Sequence, residues 1–376
     1  MKIVFTGGVT GGHFYPIIAV AEKCAELAEK KKIIDTRFYF FAPTPYNKKM
    51  LFENALEWRR VSAGKIRRGF SLLAPIEFLK MFAGIIKAMF SLWVVYPDVV
   101  FGKGGYGSFP TLFAAKILRI PVIIHESDSA PGRVNVWAAK FASRVALSYT
   151  EAAAYFPKEK IAFTGQPIRG EIMTPIKNGA FEYLHLEPSV PVILFLSGSQ
   201  GARIINDVIL NSLPDLVLRY QIIHQTGELN LAEVMQTAGV VLENNQHKNR
   251  YKAFGYLNDL AMKMSSGAAS LIISRAGSTI FEIAAWGIPS IIIPITDSNG
   301  DHQRKNAFNY ARSGAAVVVE ERNLTPHILI SEINKIMENK NELEKMRNAT
   351  RAFYKPDAAE KIAEEILSIA LDHESR

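Results

Sequence analysis

The chain is poor in the residues that build disulfide, metal and repeat proteins. It has one cysteine, Cys24, so no intramolecular disulfide can form, and no Cys/His cluster has zinc-ligand spacing. A reducing compartment is therefore expected. No glycine turn continues into Gly-Lys-Ser/Thr, which excludes a Walker A loop. No stretch reaches the roughly 18 uninterrupted apolar residues that cross a bilayer. The opening MKIVFTGG runs from a strand into a glycine turn, without the long apolar core and cleavage site of a signal peptide. A soluble protein, or at most one lying on a membrane, is expected. Low-complexity tracts and short repeats are also missing.

What is present suits two globular domains. The 376 residues are 48% hydrophobic and 21% charged, too long for one ordinary domain of about 150 residues. The net charge of +8 is unevenly placed. Residues 1–160 carry 23 Lys/Arg against 12 Asp/Glu, a balance of +11, and the remainder carries 21 against 24. A basic first half implies an anionic partner there.

The segment 65–93 sharpens that expectation. Lys65, Arg67 and Arg68 precede a helical run in which Glu77, Lys80, Gly84, Lys87 and Ser91 form one narrow polar or small stripe. The rest of its circumference is apolar, including Phe78, Phe82, Phe90 and Trp93. Such a helix is either buried on most sides or docked partly into lipid, with the basic residues on anionic headgroups. Its aromatics are not interleaved with polar groups as a nucleic-acid face requires, so no nucleic-acid partner is expected.

Short β-branched or aromatic runs alternate with helical patterns along the whole chain. KIVFT (2–6), RFYFFA (37–42), EWRRV (57–61), DVVFG (98–102), PVIIH (121–125) and RVALS (144–148) form one series. PVILFLSG (191–198), YQIIHQ (220–225), YKAFGY (251–256), SLIIS (270–274), PSIIIP (289–294) and AAVVVE (315–320) form a second. Apolar strands alternating with helices predict parallel sheets covered on both faces, here an α/β chain of two doubly wound, Rossmann-like domains. The expected division is a domain over 1–165, a linker over 166–190, a second domain over 191–356, and a helix over 357–376 able to pack on the first domain.

Ligands of such sheets bind at the carboxyl ends of the strands. Gly7, Gly8, Gly11 and Gly12 precede His13 there, followed by a helix expected near Pro16, a cradle for phosphate or developing negative charge. His13 is placed either as a general base or as a cap of that helix. Gly102, Gly104 and Gly107 spell G-x-G-x-x-G, with Glu126 about 20 residues on, as in a dinucleotide fingerprint. That fingerprint usually occupies the first βα unit, and Lys103 and Tyr106 project from this one towards something larger. His125, Glu126 and Asp128 cluster after a buried strand, as a site or as a harmless strand end. In the second half, FLSGSQGARIIN offers another anion cradle. Glu282, inside the apolar run Ile280–Ala284, fits a ribose diol, and His302, Gln303 and Asn306 fit sugar hydroxyls.

GGVTGGHFYP, GKGGYGSFP, IIHESDSAPG, GQPIR, GSQGAR, SRAGSTIFEIAAWGIPSIIIP and DHQRKNA, in this order and spacing, resemble the MurG family. The resemblance runs from about Lys2 to about Val319. It implies a GT-B glycosyltransferase whose two domains face across a cleft. The implied reaction is inverting transfer of N-acetylglucosamine from UDP-GlcNAc to the C4 hydroxyl of the muramoyl sugar of lipid I, giving lipid II for peptidoglycan, without an obligatory metal or cofactor. Ser199, Gln200 and Gly201 would contact the donor diphosphate, with Arg169 nearby. Tyr256 and Leu257 would frame the uracil, Glu282 the ribose, and Gln303 and His302 the GlcNAc hydroxyls, with Ser278 and Thr279 in the same site. Thr10, Gly11, Gly12, His13, Gly104, Gly105, Tyr106, His125, Glu126 and Asp128 would line the acceptor side. The base is His13, with Asp128 or Glu126 as alternatives.

The resemblance also implies a peripheral protein on the cytoplasmic face of the bacterial membrane, held through the region around 65–93, with cell-wall synthesis proteins as further partners. Three departures stand out. Val9 replaces the family's usual third glycine, Asp128 replaces the asparagine of its HEQN motif, and the stretch from Arg275 to Glu282 is one residue short. Competing readings are a related enzyme with another lipid acceptor, a UDP-GlcNAc epimerase, an NAD-linked oxidoreductase using Gly102, Gly104, Gly107 and Glu126, and a non-catalytic nucleotide-sugar sensor.

Overall fold

A computed structural model describes residues 1–65, 74–198, 201–296 and 298–374. They divide into two compact units, 1–169 with 355–376, and 170–354.

The first unit is built on seven strands: β1 (Lys2–Thr6), β2 (Arg37–Ala42), β3 (Leu56–Arg60), β4 (Val99–Gly102), β5 (Val122–Glu126), β6 (Arg144–Leu147) and β7 (Ile161–Phe163). Their order is β3-β2-β1-β4-β5-β6-β7, with every neighbouring pair parallel. β1 pairs Phe5 with Phe40 on one side and Phe101 on the other. Side chains alternate between faces, so Ile3 and Phe5 enter one buried core while Val4 enters another. β7 has no counterpart among the expected strands. It is three residues long, at the sheet edge, and half-exposed to exposed, so it carries no apolar run to read.

The second unit has β8 (Val192–Leu196), β9 (Gln221–Gln225), β10 (Tyr251–Phe254), β11 (Ala269–Ser274), β12 (Ser290–Ile292) and β13 (Ala316–Val318). Their order is β10-β9-β8-β11-β12-β13, again all parallel. Each sheet reverses its strand order once, between β1 and β4 in the first and between β8 and β11 in the second. Ligands bind at such switch points in this architecture.

Residues 170–190 are not a free linker. Short helices Gly170–Met173 and Ala180–Tyr183 bury Ile172, Ala180, Leu184 and Leu186 in the second unit. Trp286 Nε1 donates to Ile172 O at 2.7 Å, and Ile176 N donates to Lys263 O at 2.9 Å. Helices of four residues leave no 3.6-residue periodicity in the sequence, which is why this stretch reads as a loop. The helix Ala358–Glu374 packs on Gly11–Lys30, placing Ile362, Ala363, Ile366, Leu367 and Ala370 in the first unit's core. Arg144 Nε and Glu365 Oε1 add a 2.8 Å ion pair at the surface.

The helix Ala74–Val95 is not buried on most sides. Gly84, Ala88, Leu92 and Val95 face the unit, and a Cβ on Gly84 would meet Ser62 O at 1.8 Å, so only glycine permits that approach. Phe78, Phe82, Phe90 and Trp93 are 58–72% exposed. Glu77, Lys80 and Lys87 interrupt the apolar run, yet Pro75–Val95 keeps a mean hydropathy of 1.7 and is long and apolar enough to cross a membrane by length and composition. Arg67 and Arg68 lie outside the described residues.

Candidate functional site

In the first unit the turn after β1 and the turn after β4 interlock at the switch point. The helix Gly11–Lys30 begins at Gly11, earlier than expected, because His13 N and Phe14 N both donate to Thr10 O at 3.0 Å and close its first turn. His13 is half-buried, with Nδ1 2.9 Å from Thr10 Oγ1. Its ring lies over backbone that only glycine supplies. A Cβ on Gly8 would stand 2.8 Å from Nδ1, and one on Gly105 3.1 Å from Nε2. Gly104 and Gly105 take φ of +82° and +77°, the left-handed region that glycine favours. Tyr106 follows, half-exposed, in a 3₁₀ turn over Tyr106–Ser108 that leads into the helix Phe109–Ile117. Thr10, Gly11, Gly12, His13, Gly104, Gly105 and Tyr106 are thus gathered at one edge of one sheet.

Beside them sits a buried polar network. Lys103, expected to project outward, is 3% exposed, and its Nζ donates to Ser127 Oγ. Ser127 Oγ donates to Gln166 Oε1 at 2.9 Å, and Ser148 Oγ donates to the same oxygen at 3.0 Å. His125 is fully buried with Nε2 3.0 Å from Gly165 O, which can only accept, so the ring proton sits on Nε2. Burial holds its pKa well below the ordinary value and keeps it neutral.

Glu126 is a loop anchor in this arrangement. One carboxylate oxygen accepts from Asp128 N at 3.0 Å, the other from Gly132 N at 3.0 Å and Asn135 Nδ2 at 2.9 Å. Burial first, then the Asp128 charge, raises its pKa, while Lys103 opposes the rise. Three N–H donors leave Glu126 poorly placed to take a proton from a ligand. Asp128, two residues on, is half-exposed. Arg169 is 4% exposed and holds its guanidinium 4.4 Å above the Tyr15 ring, within the first unit.

The second unit repeats the glycine turn after β8. Ser199 and Gln200 lie outside the described residues. Gly201, at φ +72°, comes so near Thr226 that a Cβ would meet its carbonyl at 2.2 Å. The helix Arg203–Arg219 starts just beyond, with the N–H groups of its first turn at this end. Asn206 pins this helix start, donating to Thr226 O at 3.1 Å and accepting from His224 Nε2 at 3.0 Å. Tyr251 OH closes the chain on His224 Nδ1 at 2.9 Å, and burial drives the His224 pKa down to about 3.

The sugar-binding candidates sit on the turns after β10, β11 and β12. Tyr256 is 44% exposed, but Leu257 is 1% exposed, with its side chain in the core and its N–H donated to Gln225 Oε1 at 3.3 Å. Leu257 therefore shapes this turn from beneath and offers no side-chain surface to a ligand. Ser278, Thr279 and Glu282 are half-exposed at the start of Thr279–Trp286, whose other positions are mostly buried. His302 and Gln303 open the helix His302–Arg312. Gln303 Oε1 accepts from Ile295 N at 3.2 Å, and Asn306 Nδ2 donates to Ala276 O at 3.3 Å, which joins the two turns. Glu321 accepts from Thr296 N and Oγ1, each at 3.0 Å, and pairs with Arg275, fixing the β12 turn.

Sequence reasoning missed Ser127, Ser148, Gln166, Asn206 and His224, because the partners that give them their role lie far along the chain. A polar residue at the end of an apolar strand was the signal at Ser148 and at His224 in QIIHQ. Among the described residues no group of three or more His, Cys, Asp and Glu side chains is arranged to hold a metal ion.

Residues 3–147 match the model of the glycosyltransferase family 28 N-terminal domain, and residues 192–362 that of the glycosyltransferase family 28 C-terminal domain. A UDP-N-acetylglucosamine--N-acetylmuramyl-(pentapeptide) pyrophosphoryl-undecaprenol N-acetylglucosamine transferase from Halothermothrix orenii is 35% identical over 367 residues, spanning 95% of each chain. The enzyme of the same name from Thermodesulfovibrio yellowstonii is 36% identical over 376 residues, spanning 97% of each. The crystal structure of Acinetobacter baumannii MurG shares the fold, with a TM-score of 0.73 and 24% identity over 98% of this chain and 99% of that one.

Proposed function

Since the chain belongs to glycosyltransferase family 28, among the UDP-N-acetylglucosamine–N-acetylmuramyl-(pentapeptide) pyrophosphoryl-undecaprenol N-acetylglucosamine transferases, we propose that it transfers N-acetylglucosamine from UDP-GlcNAc to the muramoyl C4 hydroxyl of lipid I. The observation that carries the chemistry is His13, held over Gly8 and Gly105 at the β1/β4 switch point. With Nδ1 held by the Thr10 hydroxyl, His13 takes the acceptor proton through Nε2 as the C4 oxygen attacks the anomeric carbon. The bond from that carbon to the diphosphate oxygen breaks, its electron pair leaves with UDP, and the configuration inverts.

The second unit holds the donor. The turn at Gly201 and the start of Arg203–Arg219 offer N–H groups to the diphosphate and stabilise the charge that grows on it. Glu282 accepts from the ribose hydroxyls, Tyr256 lies against the uracil, and Gln303 and His302 hold the GlcNAc hydroxyls. The first unit takes the acceptor with Thr10, Gly11, Gly12, Gly104, Gly105 and Tyr106. The exposed apolar side of Ala74–Val95, with Lys65, Lys80 and Lys87, rests on the cytoplasmic face of the membrane where a lipid-linked acceptor is found.

The test is transfer of label from UDP-GlcNAc to a short-chain lipid I analogue, with and without a chelator. A labelled disaccharide lipid is the expected product under both conditions. UDP-GlcNAc binding without that product would redirect the acceptor assignment, and conversion of UDP-GlcNAc to an isomer without any lipid would replace the transferase by an epimerase. Failure to bind UDP would remove the reading.

A further inference from the structure

Lys103 is the cation buried beneath the acceptor-side turns. Its backbone N–H donates to Thr6 O at 2.8 Å, and a Cβ on Gly7 would lie 3.4 Å from its own Cβ, so its stem runs directly under the β1 turn. Its ammonium donates to Ser127, between Glu126 and Asp128 in sequence, and through Ser127 it reaches Gln166, three residues before Arg169. A buried ammonium is costly unless a nearby negative charge offsets its desolvation. Burial lowers the Lys103 pKa to about 8, and the charges that hold it up are Glu126 and then Asp128.

The same two carboxylates act on each other. Asp128 pushes the Glu126 proton affinity up and Lys103 pushes it back. Glu126 is committed to Asp128 N, Gly132 N and Asn135, so it must stay ionised to accept from all three. A second carboxylate at 128 works against that. Asparagine at this position, as in HEQN, would impose no such burden, so the lysine and the aspartate answer each other.

We propose that Lys103 is a positioning residue whose buried charge compensates the Asp128 carboxylate and so keeps Glu126 ionised and the His125–Asp128 turn in its acceptor-binding form. The inference rests on the assignment of that turn to the acceptor side. It makes Lys103 and Asp128 a matched pair, in which neither residue is tolerated alone as well as with the other.

The test is a double-mutant cycle on the full chain with Lys103→Met, Asp128→Asn and the double variant, read as transfer and as thermal stability. Lys103→Met is expected to raise the KM for the lipid acceptor and lower kcat/KM about tenfold or more, with the KM for UDP-GlcNAc unchanged. Adding Asp128→Asn should restore most of that loss and most of the drop in Tm. Additive effects in the stability cycle would overturn the compensation, as would a collapse of turnover in Asp128→Asn that made Asp128 the reacting base. If the parent chain binds UDP-GlcNAc but transfers nothing to lipid I while the stability cycle stays coupled, the acceptor assignment fails and the charge compensation stands.

Discussion

The hydroxyl of Thr10 lies 2.9 Å from Nδ1 of His13, and the other ring nitrogen faces Gly105. One nitrogen is thereby engaged and the other is directed at the turn where an acceptor hydroxyl would lie. Replacing His13 by alanine should lower turnover about 10²–10⁴-fold, with UDP-GlcNAc binding unchanged because the proposed sugar and uridine contacts are on the other unit. Thr10→Val should lower it by a smaller factor. Near-normal turnover of His13→Ala in a steady-state transfer assay would remove His13 as the base.

Glu282 stands half-exposed in a first helical turn that is otherwise largely buried, so its carboxylate is aimed by its neighbours. Glu282→Ala should weaken UDP-GlcNAc binding about tenfold to hundredfold, the worth of hydrogen bonds to a charged group. Titration calorimetry with UDP and with its dideoxy analogue, which lacks the two ribose hydroxyls, distinguishes the cause. Equal losses for both ligands would show that Glu282 does not read the ribose.

Acid should weaken both units through their buried histidines. In the unfolded chain His224 takes up its proton near pH 6.5, while in the folded protein it stays neutral down to about pH 3. The unfolded state then binds more protons, so stability falls as pH drops through that window, by up to about 1.4 kcal/mol per pH unit for each such histidine. His125 shifts in the same direction. Urea denaturation followed between about pH 7 and about pH 5 should show the decline, and His224→Gln should flatten it. An unchanged slope in that variant would assign the acid sensitivity elsewhere.

Phe82, Phe90 and Trp93 project from the outer side of the Ala74–Val95 helix, while Ala88 and Leu92 hold its inner side. Serine at the three outer positions should abolish flotation with vesicles containing anionic lipid, leaving the circular dichroism spectrum intact. High salt should weaken the parent's binding only partly, because apolar insertion is not screened. Binding that survives all three substitutions would place the lipid-contacting surface elsewhere.

Strand positions were legible because both sheets are buried on two faces, so runs such as VILFL and LIIS stay apolar throughout. Glycine turns were legible for a related reason, since positive φ at Gly104, Gly105 and Gly201 leaves a fixed mark on composition. Three things were not. The direction of Lys103 depends on Ser127 and Gln166, 24 and 39 or more residues away from their partners. Leu257 looked like a ligand-facing residue beside Tyr256, yet in the loop beyond β10 its side chain enters the core. The exposed side of Ala74–Val95 was ambiguous because its stripe mixed Gly84, which packs against Ser62, with Lys80 and Lys87, which face solvent.

The helix Ala358–Glu374 completes a core whose other parts are read from the messenger far earlier. A ribosome delivers the whole of 170–354 before Ile362, Ile366 and Leu367 exist to cover the helix Gly11–Lys30. During synthesis the helix Gly11–Lys30 therefore lacks its C-terminal partner, while the residues of the second unit are already made. The core of the first unit can therefore be completed only after every residue of the second has been made.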